Sequence, residues 1–94
     1  MAANYIVLYS KKFRSAFEKL TDAERELVME KIELLEDDPF YPSLRSKKFH
    51  GRTVYYECSV NMDIRILWQY ENGRIILLLN IGHHDILKKK KRRR

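Results

Sequence analysis

Two adjacent histidines follow the longest apolar run of the chain and are the residues best suited to chemistry. The run at 75–79 is Ile-Ile-Leu-Leu-Leu, and His83, His84 and Asp85 come shortly after it. Gly82 precedes them, and because it lacks a Cβ it would let the backbone turn sharply or approach a ligand closely as a strand ends. Imidazoles exchange protons near neutral pH. The pattern therefore indicates acid–base catalysis, with two solvated loop histidines as the alternative.

Arg65 is predicted to lie beside these histidines. It belongs to an alternating apolar strand at 64–70, in a position that faces away from the core. Asn72 and Gly73 form a dipeptide favoured by type I′ hairpin turns, and such a turn would pair Arg65 near Asn80. An arginine beside histidines suits metal-free phosphoryl transfer on RNA. In that reaction a 2′-hydroxyl attacks the adjacent phosphorus, imidazoles move the protons, and the guanidinium neutralises the phosphorane.

A basic segment at 40–52 supplies candidates for RNA contacts. Cations and rings alternate along it, which suits phosphate contacts and base stacking. The alternative is a solvated connector with a short strand at Lys48 and Phe49. The predicted RNA-binding residues are Arg45, Lys47, Lys48, Arg52 and Tyr55.

No metal or cofactor is expected from the residue pattern. Neighbouring histidines in an extended chain point apart, and neither an H-x-x-x-H spacing nor a second cysteine is present. The single cysteine, Cys58, lies in an apolar stretch. It is predicted to be a buried free thiol rather than a nucleophile.

Two helices and up to five strands are predicted from the apolar periodicity. A first strand spans 5–9, and Ser10 caps a short helix with Phe13, Ala16, Phe17 and Leu20 on one face. A capping box at 21–24 begins a second helix, which ends before Pro39. Later strands are predicted at 54–60, 64–70 and 75–79. The expected fold is α+β, in the order β-α-α-β-β-β(-β), with the helical hairpin packed on one face of a twisted antiparallel sheet.

The charge distribution points to a polyanionic partner. The 94 residues carry a net charge of +6, but the unbroken basic run at 88–94 accounts for seven of the 19 Lys and Arg residues. The remaining 12 nearly balance 13 acidic residues, and the excess of acid lies in the first 38 residues. We expect one domain over 1–87 with a disordered basic tail, one surface that meets nucleic acid, and no membrane span. A cytoplasmic location is predicted because the start lacks a targeting pattern.

Over residues 5–87 the chain resembles the RelE/ParE superfamily of type II toxin–antitoxin toxins, and in particular its RelE and YafQ-like messenger-RNA interferases. The resemblance rests on the order of elements and on five short stretches. These are Leu34-Leu35-Glu36-Asp37-Asp38-Pro39, Pro42-Ser43-Leu44-Arg45, Lys47-Lys48-Phe49-His50-Gly51, Asp63-Ile64-Arg65-Ile66-Leu67-Trp68 and Ile81-Gly82-His83-His84-Asp85.

The resemblance implies specific roles for the site residues. Arg65 sits where RelE-like toxins keep a phosphate-stabilising arginine, and His84 matches the catalytic position after the last strand. Asp63 matches a YafQ-like aspartate, and His50 matches that toxin's loop histidine. The hypothesis is that His84 is the general acid and that the base is His50, Asp63 or His83.

Two departures from the RelE pattern indicate a histidine-based variant. The lysine pair that serves RelE falls on Tyr56 and Cys58 here, and the C-terminal tyrosine that RelE uses is absent because a basic run stands in its place.

The resemblance also implies a microbial-RNase-like fold and defined partners. The expected protein enters the ribosomal A site against 16S rRNA, cuts mRNA into cyclic phosphate and 5′-OH ends, and arrests translation and growth. It would be a monomer when free and a hetero-oligomer with a cognate antitoxin. Two alternatives are a ParE-like toxin that inhibits DNA gyrase without nuclease activity, and a simple basic RNA-binding module.

Overall fold

The computed structural model describes residues 4–84, so the predicted tail at 88–94 and any role of Asp85 lie outside the described residues. No helix within 4–84 is both long and apolar enough to cross a membrane. The elements are β1 (Ile6–Tyr9), α1 (Lys11–Glu18), α2 (Asp22–Asp37), a 3-10 helix (Pro42–Leu44), β2 (Lys47–His50), β3 (Val54–Ser59), β4 (Ile64–Asn72) and β5 (Ile75–His83).

Side-chain caps begin both helices where the sequence predicts them. The Ser10 hydroxyl accepts a hydrogen bond from the Phe13 amide at 3.0 Å. At the start of α2, the Thr21 hydroxyl accepts from the Glu24 amide at 3.1 Å, and the Glu24 carboxylate accepts from the Thr21 amide at 2.9 Å. This reciprocal pair satisfies two backbone donors that would otherwise lack partners. The helical hairpin is therefore fixed by local chemistry.

The five strands form one sheet in the order β1-β5-β4-β3-β2. Strands β2 to β5 pair antiparallel, as predicted, but β1 lies parallel to β5, with Ile6 opposite Ile75. The sheet is therefore mixed rather than wholly antiparallel. The helical hairpin between β1 and the later strands is the crossover that a parallel pair requires.

Both helices pack on a single face of the sheet. Cross-strand partners share a face, so the buried residues Cys58, Ile66 and Trp68 define the helix-covered face. Replacing a fully buried aliphatic side chain with alanine costs about 2–5 kcal/mol, so this face is firmly fixed. The opposite face, which no described element covers, is called the open face below. The described core consists of Phe13, Leu20, Val28, Ile32, Leu35, Leu44, Cys58, Val60, Ile64, Ile66, Trp68, Ile76, Leu78 and Ile81.

The basic segment at 40–52 is more ordered than a loop. It contains the 3-10 helix and the edge strand β2, which includes the predicted short strand at Lys48 and Phe49. Leu44 is fully buried and anchors the 3-10 helix to the core. The basic side chains that follow are therefore held by strand pairing with β3.

The predicted type I′ turn at Asn72 and Gly73 is wrong. Asn72 already pairs with Ile75, and Gly73 does not have the positive φ that such a turn needs. The Asn72 side-chain oxygen instead accepts hydrogen bonds from the amides of Arg74 (2.8 Å) and Ile75 (3.1 Å). In this Asx turn the Asn72 side chain supplies the hydrogen bonds that close the hairpin, so no turn residue needs a left-handed backbone conformation.

Gly82 does not lie in a turn either. Strand β5 runs through it to His83, and Gly82 pairs with Arg65 inside the ladder. Its conformation does not have a positive φ. The missing side chain, rather than backbone freedom, is what Gly82 contributes.

The burial of Cys58 makes its thiol unreactive, and this can be measured. Desolvation raises the pKa of Cys58 to about 12, with a smaller contribution from Glu57. Because the thiolate is the reactive form, we expect the native protein at pH 8 to react with a disulfide reagent such as DTNB far more slowly than the guanidinium-unfolded chain. Equal rates for the two states would contradict the packing of β3.

Candidate functional site

The pairing of β4 with β5 places Arg65 directly opposite Gly82 and Ile64 opposite His83. The hairpin closes with Asn72 opposite Ile75, one residue later than predicted, and this places Arg65 two residues closer to the histidines than the predicted pairing with Asn80. Two irregularities in the ladder, at Leu67/Trp68 and at Tyr70/Asn72, offset each other. The glycine puts no side chain opposite Arg65, so the guanidinium is not crowded from β5.

The turn between β3 and β4 holds the Arg65 side chain. Arg65 Nη1 donates to the Asn61 carbonyl at 2.8 Å, while the Asn61 side chain accepts from the amides of Asp63 (2.8 Å) and Ile64 (2.7 Å). A guanidinium has five N–H donors in a planar fork. Within residues 4–84, Nε and Nη2 have no hydrogen-bond partner, and they are the donors available to a phosphate.

His83 forms a carboxylate–imidazole pair with Asp63. Its Nδ1 lies 2.5 Å from Asp63 Oδ2, and the two side chains are 41% and 59% exposed. With Asp63 ionised, the hydrogen resides on Nδ1, and Nε2 is left as the nitrogen that can accept a proton. Asp63 thereby fixes both the ring orientation and the tautomer of His83.

Asp63 also contacts His84, through the backbone. The His84 amide donates to the Asp63 carbonyl at 2.6 Å, one step beyond the last ladder pair. His84 directly follows His83, the last residue of β5. The ring Nδ1 of His84 is buried and has no hydrogen-bond partner among the described residues. One aspartate thus organises both histidines.

The structure does not bring His50 to this cluster. His50 pairs with Val54, whereas Arg65 pairs with Ser59, five residues further along β3. At about 3.3 Å per residue the separation along the strand is roughly 17 Å. His50 therefore cannot act on a phosphate held by Arg65, and Arg52, in the adjoining β2–β3 loop, is equally remote.

The other predicted RNA-binding residues divide between the two faces. Lys47 pairs with Glu57 on the open face, and Tyr55 pairs there with Phe49. Lys48 pairs with Tyr56 and so lies on the helix-covered side, where it is exposed at the sheet edge. Arg45 is exposed with a left-handed φ of 51° and precedes β2 at the Arg65 end of the sheet.

Two residues near the site, Asn61 and Glu57, are not among the predicted site residues. Asn61 holds the Arg65 side chain through its carbonyl. Glu57 is half-buried on the open face, beside the pair of Ser59 and Arg65. Only the strand register, which periodicity does not provide, could have found them.

Tyrosines with perturbed pKa values lie away from this cluster. Burial raises the pKa of Tyr70 to about 12, and neighbouring Tyr5 and Tyr56 add to the shift. Burial also raises the pKa of Tyr9. These phenols stay neutral and structural. Residues 4–84 contain no group of three or more His, Cys, Asp or Glu side chains arranged to hold a metal ion.

Comparison with known proteins shows similarity in structure alone. No protein-family model matches the chain, and a search of curated proteins finds no match. A chain of the RelE–RelB complex from Pyrococcus horikoshii OT3 superimposes with a TM-score of 0.72 and 20% identity, and the match covers 85% of this chain and 94% of that chain. A chain of the RelB–RelE complex from Methanococcus jannaschii has a TM-score of 0.72 and 20% identity, with 88% of this chain and 96% of that chain covered. YafQ from E. coli BL21(DE3) has a TM-score of 0.65 and 11% identity, with 88% of this chain and 97% of that chain covered. The chain therefore has the α+β fold of RelE-like toxin structures.

Proposed function

We propose that this protein is the toxin of a type II toxin–antitoxin pair and acts as a metal-independent endoribonuclease on mRNA. The observation that carries the proposal is the convergence of Asp63, Arg65, His83 and His84 at one end of the β4–β5 ladder. The RelE-like fold supports the toxin assignment. Two imidazoles and a guanidinium suffice for cleavage by the 2′-hydroxyl without a metal.

The proposed reaction assigns one proton transfer to each histidine. His83 Nε2, oriented by Asp63, takes the 2′-hydroxyl proton as the 2′-oxygen bonds to phosphorus. The bond from phosphorus to the 5′-oxygen breaks, and His84 donates a proton to that leaving oxygen. The products are a 2′,3′-cyclic phosphate and a 5′-hydroxyl.

Arg65 supplies the electrostatic part of the mechanism. Its Nη1 is tied to the Asn61 carbonyl, so the guanidinium plane is set before substrate arrives. The remaining donors bind the non-bridging oxygens as negative charge builds in the phosphorane. A planar guanidinium can donate two parallel hydrogen bonds to these oxygens, whereas an ammonium group acts as a point charge.

The basic residues of the open face extend the RNA contacts beyond the cleaved phosphate. Arg45 and Lys47 are exposed near the Arg65 end and provide the phosphate contacts of an RNA strand. We place the substrate as mRNA in the ribosomal A site, where the same cations also face 16S rRNA. Cleavage there would block translation and arrest growth in the cytoplasm.

A cognate antitoxin is the proposed inhibitory partner. Similar structures include complexes described as RelE–RelB and RelBE2. In this chain the edge strand β1 exposes Ile6 (59%) and Leu8 (44%) on the open face, an apolar strip suited to protein burial. The proposed state is a monomer when free and a hetero-oligomer with the antitoxin.

Replacing His84 with alanine tests the nuclease assignment. Loss of a proton-transfer group is expected to slow cleavage on the order of 10²-fold or more. His50→Ala is the matched control and should cut at nearly the wild-type rate, because His50 lies at the far end of β3. Primer extension on cellular messages after brief induction measures both.

The same experiment separates nuclease from gyrase inhibitor. Growth arrest without new 5′ ends, accompanied by altered plasmid supercoiling, would contradict the nuclease and favour the ParE-like alternative. Wild-type cutting by His84→Ala would instead leave the nuclease in place and remove His84 from the mechanism.

The link between Asp63 and His83 predicts strongly non-additive effects. If Asp63 acts by orienting His83, Asp63→Asn and His83→Ala should each lower the cleavage rate, and the double variant should be little slower than His83→Ala alone. Single-turnover cleavage of the four proteins measures the coupling. Multiplicative losses would show that Asp63 acts independently of the His83 ring.

A further inference from the structure

Three side chains form a row across the open face, next to the candidate active site. Strand pairing places Glu57 of β3 opposite Leu67 of β4, and Leu67 opposite Asn80 of β5. All three are half-buried. Ile66 and Trp68, on either side of Leu67, are fully buried on the helix-covered face, so the accessible part of Leu67 lies on the open face.

The two ends of this row have hydrogen-bonding groups without partners. The side-chain oxygen of Asn80 accepts a hydrogen bond from the Ile81 amide at 2.9 Å, and within residues 4–84 the Asn80 side-chain NH2 group has no partner. The Glu57 carboxylate accepts no hydrogen bond and forms no ion pair with any described residue, although Lys47 is its cross-strand partner. The row therefore presents a free acceptor at one end, a free donor at the other and an apolar side chain between them.

Phosphate binding does not explain a carboxylate on this face. The Glu57 carboxylate repels phosphate oxygens, and because it only accepts hydrogen bonds, the RNA groups that it can bind are the N–H groups of bases and the ribose hydroxyls. Leu67 lies beside it, and apolar side chains can pack against the plane of a base. Glu57 is therefore better suited to reading a base than to holding the RNA backbone.

Guanine is the base whose edges match this arrangement. Among the RNA bases, only guanine has two adjacent N–H donors on its Watson–Crick edge, N1–H and the 2-amino group, and both can bind one carboxylate. Adenine and cytosine have an unprotonated ring nitrogen on that edge, which the carboxylate would repel. The adjoining edge of guanine carries the acceptors O6 and N7, which suit the NH2 group of Asn80.

We propose that Glu57, Leu67 and Asn80 form a guanine-reading subsite for the RNA substrate. Glu57 and Asn80 lie on the strands that flank β4, so roughly 9.6 Å separates their backbones and one base can lie over Leu67 between them. Glu57 is two residues from Ser59, the partner of Arg65, so the subsite lies about 6.6 Å along the strand from the arginine. The guanine therefore belongs to a nucleotide next to the cleaved phosphate. This inference rests on the proposed ribonuclease function and specifies the base that it selects.

Binding of short oligoribonucleotides provides the test. The probe is a fluorescein-labelled oligouridylate that contains one guanosine, and fluorescence anisotropy follows its binding to the full-length His84→Ala variant, in which cleavage is slowed. Uridine or inosine then replaces the guanosine, and inosine differs from guanosine only in lacking the 2-amino group. Because the carboxylate contact is bidentate, the guanosine probe is expected to bind about 10-fold more tightly than either replacement.

Further substitutions in the same background assign the preference to individual residues. Glu57→Gln removes the carboxylate at nearly constant shape, so the guanosine and inosine probes should bind within about twofold of each other. Asn80→Ala should weaken binding of guanosine but keep its advantage over inosine, because the 2-amino group still meets Glu57.

Gln69→Ala is the matched control. Gln69 is a half-buried polar residue of β4 on the same open face, where it pairs with Leu77. This variant should keep the full preference for guanosine. Thermal unfolding of each variant verifies that it is folded.

The outcomes separate the subsite from the proposed function. Equal, salt-dependent binding of the guanosine, inosine and uridine probes overturns the subsite and leaves the ribonuclease standing. A preference for guanosine over inosine that survives Glu57→Gln, or that folded Gln69→Ala also loses, overturns the subsite as well. No binding of any oligoribonucleotide overturns both.

Discussion

The register between β4 and β5 is the constraint on which the candidate site depends. A hairpin that closes with Asn72 opposite Ile75 brings Arg65 opposite Gly82 and Ile64 opposite His83. A shift of one residue would move every side chain of β4 to the other face and would bury the guanidinium against the helices. The buried residues Ile66 and Trp68 oppose that shift, because their removal from the core would cost several kcal/mol each. Core packing thus positions an arginine that is not part of the core.

Residues of the turn before β4 contact Arg65 and both histidines and so position them relative to one another. Asn61 closes the turn with its side chain and holds Arg65 with its carbonyl, while Asp63 binds the ring of His83 and the backbone of His84. A short segment of backbone therefore sets the relative placement of one cation and two imidazoles. Preorganisation of this kind is what phosphoryl transfer without a metal requires, because the protein groups must neutralise charge without first reorganising.

The two faces of the sheet carry different kinds of residue. The helix-covered face carries the core and the neutral, buried groups, including a cysteine whose pKa of about 12 keeps it out of any chemistry. The open face carries Arg65, Lys47 and the stacked rings of Phe49 and Tyr55, together with the apolar strip of β1. The core residues and the candidate binding residues thus lie on opposite sides of the same strands.

The sequence by itself determined most of the elements and which side of the strands at 54–60 and 64–70 faces the core. Helix caps and apolar periods act within a few residues, so both helices, the strands at 54–60 and 64–70, and the outward position of Arg65 were predictable. Only the tertiary structure decided that β1 runs parallel to β5, that His50 lies roughly 17 Å from the Arg65 row, and that Asp63 contacts both histidines. Those outcomes depend on the register between strands and on which strands become neighbours. Both are decided by packing between segments that are distant in the sequence, so local periodicity cannot predict them.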